Sequence, residues 1–326
     1  MAKRLETKSI LVTGANSGVG YEAAAQLAEA GWGRVVLGCR TEAKAEAARA
    51  SLVERVGSDP FEILVVDVSS LESTNAAVDE LLRREHPLDA LLLNAGMLSG
   101  AEMHKTDAGI EVAFASSLIG HHLLTHRLID SGGLRDGARV VLAGSEAANG
   151  DLPAMMGMKL YDFVHGRADS FGESPADAMR SFATGSNPGA WDPTRYYAVT
   201  KVFSAWWSAA MARRHGDKAT FLTVSPGSTL STNAGRHVKG LKGFLFSKVM
   251  PAIGGVFGMD QPVGEAAKRY LSALHDDGSF RSGHTYTSKK GKIVGALREV
   301  DYPHLLSVER QDTALAVLSE LTNTVA

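Results

Sequence analysis

The sequence has a single cysteine, Cys39, among its 326 residues. No disulfide can close within the chain, and no cysteine-rich metal centre can be assembled. It also lacks an excess of either charge: 34 basic residues stand against 36 acidic ones, with no long run of one sign. A nucleic-acid surface needs a basic field to offset phosphate charge, so no nucleic-acid partner is expected. No stretch reaches the uninterrupted apolar length of a membrane span. The first eight residues are charged and lack the apolar core and cleavage site of a secretory leader, so a cytoplasmic protein is expected. Hydrophobic residues still make up 44% against 21% charged, which argues for a buried core rather than disorder.

Short apolar runs occupy 9–13, 34–39, 62–66, 90–94, 139–143 and 220–225. They are rich in Val, Leu and Ile with little polar alternation, the pattern of strands buried on both faces. Helical patterns lie between them at 18–30, 42–56, 71–84, 109–130 and 196–215. The alternation predicts an α/β fold, a doubly wound parallel sheet of Rossmann type with helices on both faces, and one dinucleotide-binding domain spanning the chain. Two stretches interrupt the rhythm. Residues 150–193 carry Met155, Met156, Met158, Tyr161 and Phe163, and residues 228–262 carry Phe244, Phe246, Met250 and Phe257. Both follow carboxyl ends of strands, the edge where such sheets bind ligands, so they are expected to form a substrate pocket or lid. Residues 291–326 read as a C-terminal extension, an irregular stretch followed by one helix.

Thr13, Gly14, Ala15, Asn16, Ser17, Gly18, Val19 and Gly20 link the first strand to the first helix. Glycines there let the backbone approach a pyrophosphate, while the helix start offers free N–H groups and a positive dipole end. At the end of the second strand an acidic residue would select NAD; this chain has Cys39 and then Arg40. A guanidinium can neutralise a 2′-phosphate, so NADP(H) is the expected cofactor. Asp67 and Val68 end the third strand and are candidates for the adenine edge. Asn94, Ala95 and Gly96 end the fourth, where small residues admit a close cofactor.

Tyr197 and Lys201 stand four residues apart on one helix face. A phenol with pKa ~10 is too weak an acid for neutral pH unless a neighbouring cation lowers it, and Lys201 is expected to do so. Ser145 caps the fifth strand, where its hydroxyl could stabilise a reacting carbonyl or serve merely as a turn or helix cap. Pro226, Gly227 and Ser228 end the sixth strand and would close the nicotinamide pocket, with Ser231 or Thr232 available for the carboxamide or diphosphate.

Taken together, these motifs resemble the short-chain dehydrogenase/reductase family from about residue 8 to 286. The TGANSGVG turn, the CR after the second strand and the GHHLLT run look most like its retinol-dehydrogenase and light-dependent protochlorophyllide-reductase branch. The resemblance implies Tyr197 as general acid–base, Lys201 as its activator and ribose anchor, and Ser145 as carbonyl stabiliser. It also exposes a departure. The family asparagine that helps hold a water in the proton relay, three residues before Gly120-His121, is here Ser117.

Hydride transfer between NADPH and a carbonyl or alcohol of an apolar small molecule is therefore the expected activity. Reduction of a C=C bond in a pigment or enone, and an NADP(H)-binding regulator with weak catalysis, are the alternatives. The pigment reductases carry a cysteine where this chain has Ser228, which disfavours the first. His122 and His126 are spaced i, i+4 without a matching carboxylate, so no metal site is expected and both read as surface or core-edge residues. Trp206 and Trp207 fit either a core or a homo-oligomer contact. The Phe244–Phe257 stretch is compatible with peripheral membrane association, but its few cations favour a lid.

Overall fold

The computed structural model describes residues 5–98, 100, 102–151, 174–186, 191–229, 260–275 and 277–324. Strand β1 (Ser9–Thr13) shows why its neighbours assemble as they do. All five residues are buried, so hydrogen bonds must be satisfied on both edges and apolar layers must cover both faces. It pairs in parallel with β2 (Arg34–Cys39) on one side and β4 (Leu88–Leu93) on the other. With β3 (Phe61–Val65), β5 (Leu134–Ala143), β6 (Ala219–Val224), β7 (Thr285–Thr287) and β8 (Arg298–Val300), the sheet runs β3-β2-β1-β4-β5-β6-β7-β8. Every pair is parallel except β7–β8. The strand order reverses between β1 and β4, which opens a crevice at their carboxyl ends.

Helices cover both faces. On one side lie α1 (Gly18–Glu29), α2 (Glu42–Val56) and α8 (Val263–Leu274). On the other lie α3 (Leu71–Arg83), α5 (Gly120–Asp130), α6 (Pro175–Ala183) and α7 (Pro193–His215), roofed by α9 (Pro303–Leu306) and α10 (Val308–Thr322). The sheet is the doubly wound Rossmann arrangement that the alternation predicted.

The structure departs from the sequence reading at particular places. The helix expected over 109–130 starts with α4 (Val112–Phe114), because Gly109 takes a left-handed φ of 75° and Glu111 caps the Phe114 N–H. It then widens into a π turn, Ala115–Ile119, before α5. Strand β5 begins at Leu134, earlier than its apolar run, because Leu134 pairs with Leu88. The C-terminal segment is more regular than expected: β8 pairs antiparallel with β7, and two helices follow rather than one. Part of the first insertion is also helical, since Ser174 caps α6 and Pro175 occupies its first turn. His122 and His126 are not surface groups, being 0% and 5% exposed. Trp206 and Trp207 are likewise interior, beneath α10. Residues 152–173 and 230–259, with Met155, Phe163, the Phe244–Phe257 stretch, Ser231 and Thr232, lie outside the described residues. Among the described residues, no helix is long and apolar enough to cross a membrane.

Candidate active site

The glycine turn sits at the crevice. Gly14 and Gly18 adopt left-handed φ values of 68° and 58°, open to glycine at little cost. A Cβ on Gly20 would lie 2.4 Å from Asn94 Nδ2 and 2.5 Å from the Gly14 carbonyl oxygen, so only glycine allows α1 to approach so closely. Asn94 Nδ2 donates to the Thr13 carbonyl at 3.0 Å, and the Ala95 N–H donates to Thr13 Oγ1 at 3.0 Å. The ends of β1 and β4 are thereby locked together.

Whereas α2 and α3 have their first N–H groups capped by Thr41 and Ser70, α1 has no side-chain cap from Ser17 and no acid in its first turn. An uncapped helix start beside a turn kept clear of Cβ atoms is suited to a diphosphate. The residues present therefore fit a dinucleotide.

Arg40 extends from β2 into solvent, its Nε 3.9 Å from the Asp67 carboxylate. Asp67 is partly committed to its own turn, since Oδ1 accepts from the Ser69 N–H at 2.9 Å and hydroxyl at 2.6 Å. Val68 lies against Gly120, where a Cβ would fall 2.0 Å from the Val68 carbonyl oxygen.

Ser145, Tyr197 and Lys201 come together where β5 meets α7. Ser145 fulfils its plain role as a cap, accepting from the Ala147 N–H at 3.2 Å, and its side chain faces the Tyr197 phenol. Tyr197 is half-buried, packed on Ala147 and Ala198. Its neighbour Tyr196 turns away, stacked on Phe182 with ring centroids 4.0 Å apart. Lys201 is 5% exposed. Its Nζ donates to the Ala143 carbonyl at 2.8 Å and lies 5.5 Å from the centroid of the Tyr197 ring.

Burial dominates the electrostatics here. It raises the Tyr197 phenol, the Ser145 hydroxyl pulls it down, and the Glu146 carboxylate pushes it up again. Burial also lowers the Lys201 ammonium to about 8. The expected lowering of the phenol by Lys201 is not seen, because both groups are taken from water and the ammonium is turned toward a carbonyl.

Ser117 lies in the π turn, 1% exposed, and its Oγ has no hydrogen-bond partner among the described residues. A Cβ on Gly96 would lie 3.1 Å from that oxygen. Behind Ser117 is a residue that the sequence reading missed. His121 Nδ1 is 3.1 Å from the Ser117 carbonyl and Nε2 is 2.9 Å from Thr13 Oγ1. A carbonyl only accepts, so Nδ1 carries the proton and Nε2 accepts from the threonine. Burial lowers His121 to about 4, the Ser117 bond raises it and Lys201 lowers it further, so the ring is neutral. Its position one residue after Gly120 was the available signal.

Beyond β6, Gly227 has φ 78°, the Ser228 N–H donates to the Ile293 carbonyl at 2.8 Å, and Gln261 Nε2 donates to the Pro226 carbonyl. Among the described residues, no group of three or more His, Cys, Asp or Glu side chains could hold a metal ion.

A family model described as short chain dehydrogenase matches residues 8–157. Mouse (Mus musculus) retinol dehydrogenase 14 is 32% identical over 244 residues, 71% of this chain and 64% of that protein. The chain belongs to the short-chain dehydrogenase family. The match spans less than two thirds of the length of retinol dehydrogenase 14. The chloroplastic protochlorophyllide reductase of Pisum sativum is 28% identical over 292 residues, 86% of this chain and 70% of that one. Solved structures share the fold. A protein of Mycobacterium paratuberculosis superposes with TM-score 0.67 at 20% identity, covering 97% of this chain and 94% of that one. L-Sorbose reductase from Gluconobacter frateurii, complexed with NADPH and L-sorbose, gives 0.63 at 19% identity, covering 89% and 97%.

Proposed function

We propose that this family member is an NADP(H)-dependent oxidoreductase acting on a carbonyl or alcohol of an apolar substrate. The observation that carries the reading is the convergence of Ser145 and Tyr197 with the buried Lys201 where β5 meets α7, on a sheet whose glycine turn opens an uncapped helix.

In this reading NADPH, when bound, supplies the hydride. Gly14, Asn16, Ser17, Gly18, Val19 and Gly20 would hold its diphosphate, and Arg40 would neutralise the 2′-phosphate. Asp67 and Val68 line the adenine site, and Asn94, Ala95 and Gly96 the adjacent ribose. Pro226, Gly227 and Ser228 would close the nicotinamide end.

Tyr197 donates its hydroxyl proton to the carbonyl oxygen while Ser145 donates a hydrogen bond to the same oxygen, so charge developing there meets a donor already in place. Lys201 anchors the nicotinamide ribose and favours the phenolate left behind. The unpartnered Ser117 Oγ takes the relay position of the family asparagine, holding a water that returns a proton toward Lys201. The choice of NADP(H) rests on Arg40 and on structural relatives complexed with NADPH or NADP. An apolar substrate fits the Met- and Phe-rich sequence of the two insertions.

Single-turnover oxidation of bound NADPH by a panel of ketones, aldehydes and enones tests the proposal. Tyr197→Phe should slow the reactive member by ~10²–10⁴-fold while NADPH still binds. Unchanged turnover would refute the assigned role. A second reading, C=C reduction, draws on the protochlorophyllide reductase relatives, and reaction with the enones alone would favour it.

A further inference from the structure

A carboxylate and a guanidinium are buried together directly behind Ser145. Glu146, the next residue, is 4% exposed, and Arg269 on α8 is 6% exposed. Arg269 Nη1 lies 3.1 Å from Glu146 Oε1 and also donates to the Ser225 carbonyl at 3.1 Å. Its Nη2 donates to Ser288 Oγ at 2.8 Å and to the Gly295 carbonyl at 2.5 Å. Glu146 accepts from Ser225 Oγ at 2.5 Å and from the Ser288 N–H and hydroxyl at 3.1 and 2.7 Å. The pair therefore ties the tips of β5, β6 and β7 to α8. It also underlies the nicotinamide-end turn, where a Cβ on Gly227 would lie 2.8 Å from Arg269 Nη1.

A buried ion pair stabilises a fold no better than well-packed apolar residues, because both charges lose their water. Its placement against Ser145 needs a different reason. We propose that Glu146 and Arg269 are positioning residues of the reaction centre: Arg269 holds the Glu146 carboxylate in place behind Ser145, which aligns that serine with Tyr197 and sets a carboxylate beside the phenol.

The inference rests on the proposed role of Tyr197. The groups facing that phenol are Lys201 on its own helix, Ser145 and Glu146 from the segment after β5, and Tyr270, the neighbour of Arg269 on α8. Burial drives the Tyr270 phenol far up, so it stays neutral. Glu146 is then the negative charge that opposes ionisation of Tyr197.

The test is the ultraviolet phenolate titration of Tyr197 in the full-length protein, taken as the difference between each background and its Tyr197→Phe partner. Glu146→Gln keeps the shape and removes the charge. Glu146→Gln with Arg269→Gln leaves no lone buried charge. Both should move the titration to lower pH by at least about half a unit, with NADPH affinity kept within ~3-fold. The pH limb of single-turnover NADPH oxidation should move with it. Folded variants whose phenol titrates as in the wild type would overturn the proposal, as would loss of folding in both, since a structural role would then suffice. A shifted titration in a protein that reduces no member of the panel would leave the positioning role standing and sink the proposed activity instead.

Discussion

In the proposed function Arg40 selects the cofactor by chemistry rather than by shape. It is half-exposed at the end of β2, and among the described residues its ion-pair partner is the Asp67 carboxylate, 3.9 Å away. A surface pair of this kind contributes little, ~0–1 kcal/mol, so the guanidinium can turn to a phosphate at small cost. Arg40→Asp should therefore weaken NADPH by far more than NADH, by ~10-fold or more, which the quenching of protein fluorescence by each dinucleotide would measure. Equal losses would remove the argument for a 2′-phosphate site. Ser117 poses the complementary question. Its unpartnered hydroxyl is shorter than the amide it replaces, and Ser117→Asn should raise single-turnover rates if relay length limits the reaction. A slower variant would show that the space beside Gly96 has been shaped for serine.

At the level of elements, β1 to β6 were legible because strands buried on both faces leave continuous apolar runs, and the glycine turn because its mechanism dictates its position. Strands β7 and β8 were not. Each is three residues long, Thr-Tyr-Thr and Arg-Glu-Val, and only pairing makes them strands. The π turn left no trace in periodicity, since one added residue in a buried helix shifts no polar stripe. The juxtaposition of Tyr197, Lys201 and Ser145 was legible from spacing and strand ends, whereas the Glu146–Arg269 pair spans 123 positions and no local pattern announces it.

Helix α5 shows a second pairing of this long-range sort, with a pH consequence. His122 is fully buried, its Nδ1 accepting from Trp207 Nε1 at 3.0 Å and its Nε2 donating to Thr324 Oγ1 at 2.9 Å. Protonation would set two N–H groups against each other at Trp207. Burial, together with His126 and His215, lowers His122 to about 3. The unfolded chain takes up that proton near ~6.5, so the neutral ring stabilises the fold fully above that pH. The contribution declines as pH falls from there toward 3, by up to ~1.4 kcal/mol per unit. Urea unfolding at pH 7 and pH 5 should show the loss, and His122→Leu should reduce it, leaving the share that the buried His121 contributes over the same range. An unaltered slope in that variant would place the acid sensitivity elsewhere.

Across the whole molecule, α9 and α10 complete the interior rather than decorate it. Trp206 Nε1 donates to the His304 carbonyl at 2.8 Å, Arg180 pairs with Glu320 at 2.8 Å, and Arg213 pairs with Asp312. Ala314, Leu315, Val317 and Leu318 join the apolar cluster formed by α7. Ending the chain at residue 302 should expose that face and leave little soluble monomer, as size-exclusion chromatography would reveal. A stable monomer of the shortened chain would mean that α7 needs no roof.

The same roof dictates an order of events during synthesis. The tryptophans of α7 leave the ribosome well before the segment that shelters them, and at ~5–20 residues per second that interval lasts several seconds. Throughout it the aromatic flank of α7 stands without its roof, and that part of the interior closes only once α10 has emerged.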